Sequence, residues 1–223
     1  MKRIKISLIL NIINATFVAF ACIAMLSGFH FMSDDTILEL ASLSALQFFT
    51  FDSNLLLGIV TIVFIVYEVL LLREKIDNIP RLVYLLKYVS TVAVSLTMLT
   101  VIILLAPQAQ KGYFSLFMNS NLFFHFVCPF IAIIIFGFFE KDNNIIFKDT
   151  WYGIIPTGLY AIYYTINVFA HMENGKVDFV HDWYGFAQGG AVGIITSVLM
   201  MFGSTYFISV LLYLLNKKVL NNW

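Results

Sequence analysis

Apolar residues in this chain come in long unbroken runs rather than in alternation. The runs cover residues 6–28, 46–72, 82–106, 121–139, 151–170 and 189–215. Each approaches or exceeds the ~20 mostly apolar residues that a helix needs to cross a hydrocarbon layer at about 1.5 Å per residue. Short polar links separate them, among them "REKIDNIPR", "EKDNNIIFKD" and "HMENGKVDFVHDWYGF". The period-two alternation of a membrane barrel does not occur, and no internal repeat or low-complexity tract interrupts the pattern. The reading is all-α: one domain, residues 1–223, forming an integral membrane bundle of six transmembrane helices.

Composition supports lipid as the main solvent. Hydrophobic residues make up 61% of the chain and charged residues 12%, an apolar share too large for a soluble domain of this length to hide. Net charge is zero, so no basic field invites nucleic acid. Cys22 and Cys128 both fall inside apolar runs, with no Cys-x-x-Cys partner and no metal-like spacing. Two inert thiols are expected, with no disulfide, no metal site and no cofactor. The opening "MKRIK" and the run behind it resemble a signal peptide, but the run is too long and no small-x-small cleavage site follows. It reads as a retained first span.

Charge sets the direction. Eleven of the 13 Lys and Arg residues fall on one side of the predicted spans, at the N-terminus, in the second and fourth links and at the C-terminus. Only Lys111 and Lys176 fall on the other. The positive-inside rule then puts both termini in the cytoplasm and the links after the first, third and fifth spans outside.

With that orientation, polar side chains gather in the outer leaflet. Thr50, Asp52, Ser53 and Asn54 open the second span, with Thr50, Ser53 and Asn54 on one face. Asp52 points elsewhere and suits the positive end of the helix dipole. The fourth span brings Asn121 and His125, four apart, at about the depth of Thr50. Pro129 follows one turn deeper and cannot donate to the carbonyl of His125, which leaves that oxygen free. In the fifth span Thr157, Tyr160, Tyr164, Asn167 and His171 form a polar-aromatic stripe, and the third outer link adds His181 and Asp182. Other polar positions have plainer readings. Trp151, Tyr152, Trp183 and Tyr184 read as interfacial anchors. Ser90, Thr91, Ser95, Thr97 and Thr100 read as bonding back to their own helix or across to a neighbour. Asn14 reads as a helix–helix hydrogen bond, and Glu68 and Lys87 as snorkelling outward or meeting each other. His125, an ionisable group within a span, is a functional candidate by default.

The motifs "FFTFDSNL" and "NLFFHFVCPF" resemble the androgen-induced family of six-span membrane hydrolases, in its bacterial branch. The pattern is a Thr ahead of Ser/Asn-Asn-Leu at the start of the second span, then a His with Pro four residues later in the fourth. "GLYAIYYTINVF" and "DWYGF" extend the resemblance to the fifth span and the link before the sixth. Animal members cleave fatty acid esters of hydroxy fatty acids with a Thr and a His inside the membrane. The resemblance implies Thr50 as nucleophile, His125 as its base, a lipid or other apolar small molecule as substrate, and a place in a bacterial cell membrane among membrane lipids.

The chemistry such a pair needs names further candidates. A threonine hydroxyl needs a base within hydrogen-bond reach and a donor for the developing oxyanion. Asn54 or Asn121 can donate to the oxyanion, and Asp52 or Asp182 can orient the imidazole. Tyr160, Tyr164 and His181 complete the expected supporting set. Three rival readings stand beside this one. A lipid or small-molecule transporter or binding protein also uses polar cavities and proline-weakened helices, yet shows an inverted repeat that this chain lacks. A hydrolase with Cys128 as nucleophile suffers from apolar surroundings that quench a thiolate. A purely structural protein would tolerate loss of Thr50 and His125.

Overall fold

The computed structural model describes residues 2–32, 42–140 and 145–221, and the description below concerns these. They form helices, with no strand among them. We label the main helices α1 (Lys2–Ser27), α2 (Phe49–Leu72), α3 (Arg81–Gln108), α4 (Ser120–Phe139), α5 (Ile155–Ala170) and α6 (Gly190–Asn221). Five of them, all but α5, are long and apolar enough to cross a membrane. Their outward faces stay apolar, with Ile59, Ile62 and Val66 exposed on α2 and Ile195 and Leu199 on α6. Exposed apolar surface of that extent suits lipid rather than water.

The predicted fifth span differs in form. Residues Phe147–Ile154 wind as a 3-10 helix before α5 begins. Pro156 sits in the first turn of α5, where its missing N–H costs nothing. The Ile155 N–H turns back to the Tyr152 carbonyl, a three-residue reach that tightens the approach to the proline.

α3 is the central post. Of its most apolar window 61% is buried, against 22% for α6, and it packs on α2, α4, α5 and α6. One seam shows how tightly. The Tyr88 hydroxyl lies 2.6 Å from both the carbonyl and the hydroxyl of Ser209, and the Ser209 hydroxyl donates to the Thr150 carbonyl at 2.7 Å. Gly153 leaves the room for this. A Cβ there would meet the Ser209 Cβ at 2.9 Å, with the pinned hydroxyl still closer. Gly153→Ala is expected to destabilise the fold by about 1–3 kcal/mol, the usual cost of overpacking. The check is a thermal melt in detergent.

Three helical stretches widen to π turns: Val101–Leu105, Phe123–Val127 and Ile135–Phe139. A proline follows the first two, and the widened register moves the carbonyl that the proline leaves unpaired. The Cys128 N–H donates to the Phe123 carbonyl, five residues back. In that register Pro129 deprives Phe124, not His125, of a donor. Asn54 of α2 replaces it, its Nδ2 donating to the Phe124 carbonyl at 3.2 Å. The expectation of a free His125 carbonyl therefore gives way to a Phe124 carbonyl already satisfied. Pro107 repeats the device: the Ile102 carbonyl, five back, accepts from the Tyr113 hydroxyl at 3.2 Å. At the end of α4 the Phe136 carbonyl accepts from Asn216 of α6 at 2.7 Å.

Glu68 and Lys87 do not snorkel. Both are buried, at 2% and 0% exposure. They do not meet directly but through Asn11, which accepts from Lys87 Nζ at 2.7 Å and donates to Glu68 at 3.1 Å. Asn14 is buried too, but neither of its amide atoms has a hydrogen-bond partner among the described residues.

Candidate functional site

The site is built at the mouth of α2. The segment before it, Ser42–Gln47, is a short 3-10 helix, and Phe48 turns the chain with extended backbone into Phe49. A helix leaves its first N–H groups without intrahelical acceptors. The first here, on Phe49, donates to the Tyr184 hydroxyl at 3.1 Å. Thr50 is the next residue, so its side chain leaves the helix at the positive end of the dipole.

The wall opposite comes from α4. Asn119, at φ +50°, turns the chain into α4 and takes the N–H groups of Phe31 and Met32 on its Oδ1 at 2.8 and 2.6 Å. His125 follows within the π turn, 4% exposed. Its Nδ1 lies 2.6 Å from the Leu116 carbonyl. A carbonyl only accepts, so Nδ1 carries the proton and Nε2 is the bare, proton-accepting nitrogen. The orienting acceptor is thus a backbone carbonyl of the preceding link, and neither Asp52 nor Asp182 fills that place.

Thr50 and His125 line the same cavity, of about 180 Å³, with Asn121, Tyr184 and Trp183 in its wall. No hydrogen bond joins the Thr50 hydroxyl to the His125 ring among the described residues. A second cavity of about 250 Å³ adjoins the first and shares Thr50, Val101, Leu105 and Tyr184 with it. Its remaining wall is mostly apolar, with Leu96 and Leu104 from α3 and Met200 and Met201 from α6. Thr50 therefore stands at the junction of two largely apolar cavities, and His125 and Asn121 line only the smaller.

The other sequence candidates fall into two groups. Asn121 lines the His125 cavity. Asn54 does not: its Nδ2 bridges the carbonyls of Thr50, at 2.9 Å, and Phe124, at 3.2 Å. With both amide hydrogens used, Asn54 is a brace between α2 and α4 rather than an oxyanion donor. Asn54→Leu is expected to cost about 1–3 kcal/mol, because it leaves the Phe124 carbonyl buried without a donor. Chemical denaturation in micelles measures it. Asp52 is half-buried on α2 and lies outside both cavity walls.

Tyr160, Tyr164, His181 and Asp182 belong to a mount for the link that precedes α6. Asp182 is fully buried and accepts from the Tyr164 hydroxyl, the Ala187 N–H and Gln188 Nε2. The Tyr160 hydroxyl donates to the Gln47 carbonyl at 2.5 Å and accepts from Trp183 Nε1 at 3.0 Å. The His181 ring stacks on His171 with centroids 3.6 Å apart, and its carbonyl accepts from Asn167 at 2.7 Å. The polar stripe of α5 thus anchors a loop.

What that loop delivers is Trp183 and Tyr184, which the sequence reading left as interfacial anchors. Tyr184 packs among Tyr160, Tyr164 and Phe186. Burial pushes its phenol up to about 12, so it stays a neutral hydrogen-bond donor at ordinary pH. The signal was in "DWYGF": an acidic residue followed by two aromatics, just after a helix with a tyrosine stripe.

Comparison with protein-family models, with curated proteins and with solved structures gives no match. The likeness to the androgen-induced hydrolases therefore rests on the quoted motifs.

Proposed function

We propose that this protein is an intramembrane hydrolase of lipid esters, with Thr50 as nucleophile and His125 as base. The observation that carries the reading is the shared cavity: two residues from different helices, Thr50 on α2 and His125 on α4, meet in one chamber with Nε2 as the proton-accepting nitrogen. In the proposed reaction Nε2 takes the proton from the Thr50 hydroxyl as its oxygen attacks the acyl carbon. The Thr50 N–H, at the second residue of α2, and the Asn121 amide are the candidate donors to the oxyanion. Collapse expels the alcohol, which leaves with the proton held by His125. Water then attacks the acyl-threonine with His125 again as base, and the acid departs.

The adjoining apolar cavity suits this substrate class. An ester has two arms, and Thr50 lies at the junction of two chambers. In this reading α5, with Leu159, Ile162 and Ile166 exposed along one face, is a sixth span. About 24 Å of α-helix, at 1.5 Å per residue, continues from the 3-10 turns before it. Both termini face the cytoplasm of a bacterial cell, and the site opens in the outer leaflet.

Fluorophosphonate labelling of the purified protein tests the proposal. The folded parent should label, and Thr50→Ala and His125→Ala should not. Labelling lost only in Cys128→Ala would move the nucleophile to that cysteine. A folded parent that never labels would replace the hydrolase with a binding or transport protein.

A further inference from the structure

The opposite end of the bundle, which holds residues 2 and 221, contains a polar centre that the proposed reaction does not use. Lys87 Nζ, from α3, lies 3.6 Å from Glu140 Oε1 just beyond α4, and both side chains are fully buried. Asn11 of α1 donates to Glu140 at 3.0 Å and to Glu68 of α2 at 3.1 Å. Two carboxylates therefore gather around one buried ammonium, Glu140 directly and Glu68 through Asn11. Ion clusters inside a bundle are costly unless their charges are matched and their atoms bonded.

Two atoms at this centre lack partners among the described residues: Glu140 Oε2, an acceptor, and Arg3 Nη2, a donor. Arg3 is held otherwise, its Nε donating to the Phe139 carbonyl at 3.1 Å. Glu140 is 2% exposed, and its orphan oxygen is not a solvated surface group. Both residues line one cavity of about 240 Å³, with Ser7 and Glu68 beside them. The rest of the wall is mostly apolar, with Ile4, Leu71 and Ile79, and Tyr84 adds one phenol. The cavity thus offers an acceptor that lacks a cation, a donor that lacks an anion, and greasy walls.

We propose that this cavity binds the headgroup of a membrane aminophospholipid of the phosphoethanolamine type. The primary ammonium donates to Glu140 Oε2 and sits beside Glu68, supplying the second positive charge that the carboxylate pair needs. The phosphate accepts from Arg3 Nη2, at the first turn of α1 where the chain enters the membrane. The apolar walls meet the start of the acyl chains. A choline headgroup carries its charge on a quaternary nitrogen with no N–H, so it fails at Glu140. A phosphoglycerol headgroup has no cation at all. The proposal is independent of the hydrolase reading.

The test uses the full chain in nanodiscs of phosphatidylcholine containing a minor fraction of phosphatidylethanolamine, with native mass spectrometry of the protein and the lipid it retains. One phosphatidylethanolamine should stay bound, preferred over phosphatidylcholine by about tenfold or more, the scale of one charge-assisted hydrogen bond. Glu140→Gln should remove that preference, and Arg3→Gln, which loses only the phosphate contact common to both lipids, should lower the retained phosphatidylethanolamine by about tenfold. Arg3 is only partly buried and lies outside the Lys87 network, so its variant keeps the test open if Glu140→Gln does not fold. No preference in the folded parent, or lipid retention unchanged in Arg3→Gln, overturns the proposal. Free phosphoethanolamine displacing the lipid at micromolar concentration would overturn the lipid source and make the site one for a soluble zwitterion.

Discussion

If His125 is the base of the proposed hydrolase, His125→Gln is expected to lower ester turnover by about 10²–10⁴-fold, the usual share of a positioned general base. Glutamine can still donate to the Leu116 carbonyl that His125 Nδ1 contacts at 2.6 Å, so the wall of the cavity is held. What it cannot do is take a proton at the place of Nε2. Thr50→Val keeps the shape of the side chain and removes the proposed nucleophile, so its turnover should fall to background. Thr50→Ser keeps the hydroxyl and retains measurable turnover, with looser positioning from the lost methyl. The measurement is steady-state hydrolysis of p-nitrophenyl esters by protein in micelles, over a series of acyl lengths, beside a melt to show that each variant is folded. Because Thr50 also borders the apolar cavity between α3 and α6, turnover in the parent should rise as the acyl chain lengthens to fill it. Equal turnover in His125→Gln and the parent would remove the base from the mechanism.

Lys87→Met is expected to be the most damaging single change to stability, by about 3–5 kcal/mol. Lys87 is fully buried, and its ammonium is bonded to Asn11 at 2.7 Å and to Thr61 at 2.9 Å, with Glu140 at 3.6 Å. Methionine matches the length of the stem and leaves Glu140 and Glu68 without their shared cation. The cost arises mostly from those orphaned carboxylates, so removing one charge should return part of it. Lys87→Met with Glu140→Gln should therefore be more stable than Lys87→Met alone. Reversible unfolding in mixed micelles gives the coupling between the two sites. Additive losses in the double variant would mean that the ion pair contributes nothing as a pair.

Much of this was legible in the order of residues, for a simple reason. Crossing hydrocarbon demands long apolar helices whatever they pack against, so the runs located five candidate spans within a few residues. The fifth run was obscured because its α-helical part, Ile155–Ala170, is short and its start is a 3-10 turn shaped by Pro156. Thr50 and His125 stood out because polar groups in apolar surroundings carry a cost that invites a reason. Asn54 and Asp182 stood out on the same ground, but their partners proved to be carbonyls and loop amides.

The sequence by itself determined that the chain is helical and that its outer surface is apolar, but not that Glu68 and Lys87 lie buried in the bundle. These follow from composition and period, which act residue by residue. Only the tertiary structure decided which polar groups meet. It put Thr50 and His125 on one cavity wall, gave His125 a backbone carbonyl as its orienting partner, folded Trp183 and Tyr184 over the same chamber, and drew Lys87, Glu68 and Glu140 together through Asn11. The physical reason is that hydrogen bonds and ion pairs depend on atoms within about 3 Å of each other. Two π turns, each ahead of a proline, rotate the helix faces that set such distances. A straight α-helix drawn from the sequence carries no trace of that rotation.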